Sequence, residues 1–122
     1  MIAKVLIVDD SPTQVYALTK LIENWGHKAL VAENGDQALE IARTEQPNVI
    51  LMDVVMPGMS GFQTTRQLFK DQATQGIPVI FVSSKDGEAD RVWAMRQGAV
   101  AYVTKPVNPD VLLNAITDAV AV

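Results

Sequence analysis

The chain has 122 residues, 48% of them hydrophobic, a formal net charge of −4 and no cysteine. That length fits one domain burying about 65–70% of the surface its unfolded form exposes, the acidic balance argues against a nucleic-acid partner recruited by charge, and the absence of thiols excludes disulfides, cysteine nucleophiles and cysteine-ligated metals. The start, MIAKVLIVDD, has too short an apolar run for a signal peptide, and no stretch approaches the ~20 apolar residues of a membrane span, so a soluble, cytoplasmic protein is expected.

Lys4–Val8 is an apolar run ending on Asp9 and Asp10. Ser11-Pro12-Thr13-Gln14 then has the form of a helix start: Ser11 as cap, Pro12 at the first helical position, Gln14 at capping-box spacing. Leu18, Leu21, Ile22 and Trp25 recur at helical intervals, and Gly26 supplies the stop. Lys28–Ala32 reads as a second strand, Asn34-Gly35 as a turn, and Ala38, Leu39, Ile41 and Ala42 as the apolar face of a helix that reaches about Glu45 and is stopped by Pro47.

The stretch VILMDVVMPGMSG, Val49 to Gly61, organises the rest: a strand too apolar to face water delivers Asp53 to a loop rich in Pro and Gly. A helix over about Phe62–Asp71 follows, with Phe62, Thr65, Leu68 and Phe69 expected inside. Ile77–Val82 is a fourth strand ending on Ser83 and Ser84, and a helix near Glu88–Gln97 is expected to turn Ala89, Val92 and Met95 inward. Ala99–Val103 is a fifth strand, ending at Thr104-Lys105-Pro106, and Asn108-Pro109 opens a last helix carrying Leu112, Leu113, Ile116 and Val120. Strand and helix alternate five times, which predicts an α/β domain: a doubly wound parallel sheet with helices on both faces.

In a parallel sheet the residues after each strand gather at one edge, where ligands bind. Asp9, Asp10, Asp53, Ser83 and Lys105 all fall there. Two unit charges ~4 Å apart repel by ~4 kcal/mol at an effective dielectric of about 20, so three carboxylates need positive charge beside them. Lys105 supplies one, and a hard divalent cation would supply two; all-oxygen donors with few carboxylates suit Mg²⁺. Acids, a hydroxyl and a lysine together are equipment for handling a phosphoryl group.

Val8-Asp9-Asp10-Ser11, the run from Met52-Asp53 through Pro57 and Gly58 to Gly61, Val82-Ser83-Ser84 and Tyr102-Val103-Thr104-Lys105-Pro106 resemble, in order and spacing, the motifs of the receiver domain of two-component response regulators. The resemblance covers residues 1–122 as a single receiver domain with no output domain, and implies a flavodoxin-like (βα)5 sheet of strand order 2-1-3-4-5. It implies that Asp53 accepts a phosphoryl group from a sensor histidine kinase, that Asp9, Asp10, Asp53 and the backbone carbonyl of Val55 hold Mg²⁺, and that Ser83 and Lys105 contact the phosphoryl oxygens. Ser83 and Tyr102 would be the switch residues, and Lys105-Pro106 a cis peptide. The output surface would be helix 4, strand 5 and helix 5, on a monomer whose activation-dependent dimerisation is left open. Within the family the chain is similar to stand-alone, chemotaxis-type members, above all regulators of type IV pilus chemosensory systems that control twitching or phototaxis.

Each of these residues also has a plainer reading: Ser83 as a turn residue, Lys105 as a surface lysine, Tyr102 and Trp93 as ordinary packing. His27, the only histidine, is expected at a helix end, near the C-terminal dipole. Two departures from the commoner family pattern stand out. Ser83 replaces a frequent threonine, keeping the hydroxyl but losing the methyl that restricts its rotamers. The Val55 side chain cannot hydrogen-bond a hydrolytic water, which predicts slow self-dephosphorylation unless a partner intervenes. A signalling module that turns over no external substrate is the leading reading. The alternatives are a phosphorylation-independent binding module and a small phospho-aspartate phosphatase, the latter lacking the general acid that would stand at Val55.

Overall fold

The computed structural model describes residues 2–121. The elements follow in strict alternation: β1 (Lys4–Val8), α1 (Pro12–Asn24), β2 (Lys28–Ala32), α2 (Gly35–Glu45), β3 (Val49–Met52), α3 (Gly61–Lys70), β4 (Val79–Ser83), α4 (Glu88–Arg96), β5 (Ala101–Thr104) and α5 (Pro109–Val120). The strands form one parallel sheet in the order β2-β1-β3-β4-β5, the flavodoxin-like arrangement.

Successive side chains of a strand point to opposite faces, and the core divides accordingly. Leu6, Val8, Ile50, Met52 and Phe81 pack against Ala38 and Ala42 of α2, Leu68 of α3 and Ala94 of α4. Val5, Ile7, Leu51, Ile80, Val82 and Val103 pack against Leu18 and Ile22 of α1 and Leu112 and Ile116 of α5. Each fully buried Leu or Ile contributes about 1.5–3 kcal/mol. The central strands β3 and β4 are buried throughout, while the edge strand β2 leaves Val31 exposed.

Several boundaries and orientations differ from the sequence expectation. Asn34-Gly35 is not a free-standing turn: the Asn34 Oδ1 accepts from the Gln37 N–H (2.9 Å) and Gly35 is the first residue of α2. At Ser11 only half of a capping box forms, Ser11 Oγ accepting from the Gln14 N–H. The complete box lies at α3, where Ser60 and Gln63 exchange hydrogen bonds of 2.9 and 3.2 Å. β4 begins at Val79 because Pro78, at position 78, supplies only a carbonyl to the ladder, which Ile50 N–H takes. β5 begins two residues later than expected, at Ala101, with the Val100 N–H already donating to Val79 O (2.9 Å) ahead of it. His27 stands at the end of α1 as expected, and its Nδ1 accepts the Ala3 backbone N–H (3.0 Å), so its role is to satisfy a strand start.

The largest correction is to α4. Ala89, Val92 and Met95 point outward, and Ala94 is the buried residue, with Asp90 and Gln97 half-buried on the same side. The helix is seated by its inner neighbours: the Arg66 Nη1 donates to Gln97 Oε1 (2.8 Å), and a side chain at Gly98, φ +101°, would run into the Phe69 ring. A small alanine lets the helix approach the sheet there, and the bulkier apolar residues fall on the far side.

Candidate functional site

The sheet fixes the site's backbone one residue beyond its strands. Val8 pairs with Met52 and Ser83 with Thr104, and the ladder continues with Asp9 N–H to Ala32 O (3.1 Å), Asp53 N–H to Val8 O (2.9 Å) and Lys105 N–H to Ser83 O (2.8 Å). Asp9, Asp53 and Lys105 thus leave three strands at one level. The Lys105–Pro106 peptide is cis.

The Lys105 ammonium lies between two acids, 3.0 Å from Asp9 Oδ2 and 3.5 Å from Asp53 Oδ1. Asp9, 2% exposed, also accepts the Ser11 N–H through Oδ1 (2.9 Å), and Asp53, 9% exposed, accepts the Val54 N–H through Oδ1 (2.9 Å). Asp10 is exposed at the rim. Each of the three carboxylates offers an oxygen within 4.8 Å of the other two. Burial pushes the Asp53 carboxyl above its ordinary value; Lys105 opposes that, and Asp9 adds to it. Gly61 is required beside it, because its N–H donates to Val54 O (2.8 Å) and a Cβ there would collide with the Asp53 carbonyl. Within this loop Val54 and Met56 are buried, whereas the Val55 side chain is 61% exposed.

Ser83 and Tyr102 converge on the backbone of one residue, Lys85, that sequence reasoning did not single out. The buried Ser83 Oγ accepts the Lys85 N–H (3.1 Å), and the Tyr102 hydroxyl donates to the Lys85 carbonyl. The half-buried Tyr102 ring lies against the Arg91 guanidinium (5.3 Å to the centroid), and burial pushes its phenol up. Nothing in the spacing of Lys85 or Arg91 signals these contacts, since one acts through its backbone and the other across elements. Trp93, with 47% of its surface exposed, sits away from the acids on the outer face of α4.

The fold and its edge define a protein that presents an aspartate, two further acids, a hydroxyl and a lysine at the carboxyl ends of a parallel sheet. Residues 5–117 match the response regulator receiver domain model, and the chain belongs to that family of two-component signalling proteins. It is 56% identical over 119 residues to Protein PilH of Pseudomonas aeruginosa, an alignment covering 98% of each chain. Among solved structures it resembles the chemotaxis response regulator CheY4 of Vibrio cholerae (TM-score 0.89, 27% identity, 98% and 99% of the two chains). It also shares the fold of the receiver domain of a Pseudomonas aeruginosa sensor histidine kinase, solved with magnesium in its active-site cleft (TM-score 0.90, 22% identity, 98% of each chain).

Proposed function

We propose that the chain is a phosphorylation switch in which Asp53 accepts a phosphoryl group from a histidine kinase and the change is read at the surface formed by α4, β5 and α5. The observation that carries this reading is the Lys105 ammonium set between Asp9 and Asp53, with three carboxylates within 4.8 Å of one another. One lysine against three acids leaves negative charge to be balanced, and the all-oxygen donor set suits Mg²⁺. Asp9, Asp10, Asp53 and the Val55 carbonyl would hold it, and the bound ion would place two positive charges beside the transferring group.

Asp53 Oδ1 is taken by the Val54 N–H and Lys105, which leaves Oδ2 as the nucleophile. Oδ2 attacks the phosphorus of a phosphohistidine as the P–N bond breaks, the released imidazole taking a proton from solvent. Lys105 neutralises the phosphoryl oxygens in place, with no reorganisation at the moment of transfer. The Ser83 hydroxyl then turns to a phosphoryl oxygen and gives up the Lys85 N–H. Because the Tyr102 hydroxyl is bonded to the carbonyl of the same residue, Lys85, a shift of that residue releases the ring to move inward. Phosphate acts on this equilibrium only through its different affinity for the two arrangements.

The similarity to PilH along almost the full length of both chains supports a place in pilus-based motility signalling. The test is intact mass after incubation with Mg²⁺ and acetyl phosphate. One added phosphoryl group, lost in Asp53→Asn and in a chelator, is the expected result; a folded, Mg²⁺-binding protein that gains none would leave a phosphorylation-independent binding module.

A further inference from the structure

Between α1 and the edge of the sheet lies a groove that neither phosphoryl transfer nor the core uses. β2 is an edge strand and leaves Val31 38% exposed beside the helix. Pro12, Val15, Tyr16 and Thr19 recur at three and four residues on one stripe of α1. With Val31 and, just past the strand, Glu33, they bound about 350 Å³, the size of a small-molecule site. The lining is graded in polarity. Asp10 and Glu33 follow the ends of β1 and β2, beside the start of α1, and Val15, Tyr16 and Val31 continue the groove away from them. Thr19 stands about 10 Å from Pro12 along the helix axis.

Two kinds of group in this groove lack partners. Among the described residues, neither the Asp10 nor the Glu33 carboxylate takes part in an ion pair or a hydrogen bond, whereas Asp9 beside them is engaged by Lys105 and the Ser11 N–H. Lys20 stands over the Tyr16 ring (5.4 Å to its centroid) and does not line the groove. The second is Thr19, whose Oγ1 is buried without a hydrogen-bond partner. The Thr44 and Thr64 hydroxyls bond back to the carbonyl four residues earlier, as helical threonines do; the Thr19 hydroxyl does not, and has a hydrogen bond left to make. Unpaired carboxylates at one end repel anions and call for a cation, and the aromatic and branched walls call for an apolar body. We infer that the groove binds a small arylalkylamine, with its ammonium at Asp10 and Glu33, its ring between Tyr16 and Val31, and a polar substituent at Thr19. Asp10 is also one of the acids proposed to hold Mg²⁺, so amine and metal weaken each other by the same factor. That consequence rests on the proposed metal site; the groove itself does not.

Tyramine is the probe, titrated into the full chain in a chelator and followed by amide NMR shifts. Its neutral match is tyrosol, in which a hydroxyl replaces the ammonium. Tyramine is expected to shift residues of α1 and β2 with a Kd on the order of 1 mM, and tyrosol to bind about tenfold more weakly. Glu33→Gln weakens tyramine about threefold and leaves tyrosol unchanged. Thr19→Val also costs tyramine about threefold but leaves phenethylamine, which lacks the phenol hydroxyl, unchanged. Val31→Arg, which sets a cation of the chain's own on the apolar wall, abolishes tyramine binding. Tyrosol that binds as well as tyramine, shifts confined to other acidic surfaces, or a Val31→Arg protein that binds like the parent would each overturn the proposal. Saturating Mg²⁺ is expected to weaken tyramine about tenfold. An unchanged affinity while Mg²⁺ shifts the Asp9 and Asp53 signals would overturn the shared carboxylate. Mg²⁺ that shifts nothing would remove the metal reading, and the titration in chelator would still decide the groove.

Discussion

Burial raises the Asp53 carboxyl, and the Asp9 carboxylate adds to it against a partial offset from Lys105. The folded-state value therefore lies above the ~3.9 of an unfolded aspartate. The native state then holds the proton more tightly, and stability falls as pH rises through the window between the two values. Without metal, Asp53→Asn is expected to be more stable than the parent at neutral pH by about 1 kcal/mol, several degrees in melting temperature. That gap closes as pH drops below the unfolded value, and melting curves in a chelator from acid to neutral pH would show it; a parent more stable at neutral pH would contradict the account. Val55 bears on the reverse reaction. Its exposed, apolar side chain offers a water near Asp53 no hydrogen bond, so Val55→Asn is expected to shorten the phosphoryl group's lifetime about tenfold, a lost positioning term of ~1.4 kcal/mol. Mass spectrometry after donor removal follows the decay, and equal lifetimes would remove the argument.

At the scale of elements, the sequence carries the order of strands and helices because each signal is local: an apolar β run, a cap, a proline at the first helical position. β1, β2 and β3 need nothing more, and neither does the convergence of Asp9, Asp53 and Lys105, which follows from parallel strands alone. α4 was not legible in the same way. Apolar residues at helical spacing identify the helix, but the face that is covered depends on Gln97, Gly98 and Phe69, contacts made across elements. The shared bonds of Ser83 and Tyr102 to Lys85 were hidden for the same reason, since a backbone group carries no sequence signature. The orientation of α4 has a direct consequence for stability. Val92→Ser is expected to cost no more than about 0.5 kcal/mol, as for other exposed positions, whereas an inward Val92 would make the same change cost several times that. Urea unfolding distinguishes the two, and a loss above ~1.5 kcal/mol would return Val92 to the core.

Over the whole molecule, the site ties the ends of β1, β3 and β5 together through charges that do not balance, so its occupancy and the stability of the fold are linked. A cation bound only by the native state stabilises it by RT ln(1 + [L]/Kd), about 2.7 kcal/mol when the free ion stands at 100 times Kd. Mg²⁺ is therefore expected to raise the melting temperature by several degrees. Two substitutions at the one site should move that increment in opposite directions. Asp53→Asn removes one of the three carboxylates, so the variant melts higher without metal and gains less from it. Lys105→Ala removes the ammonium that lies 3.0 and 3.5 Å from Asp9 and Asp53. Its three uncompensated acids lower the melting temperature without metal and draw the cation more strongly, so the increment grows. Thermal melts of the three proteins across a Mg²⁺ titration test this, with ionic strength held constant because screening weakens exposed charges such as Asp10. Equal increments in all three would mean that the ion stabilises the chain from somewhere else, and the acids at the strand ends would need another counter-charge.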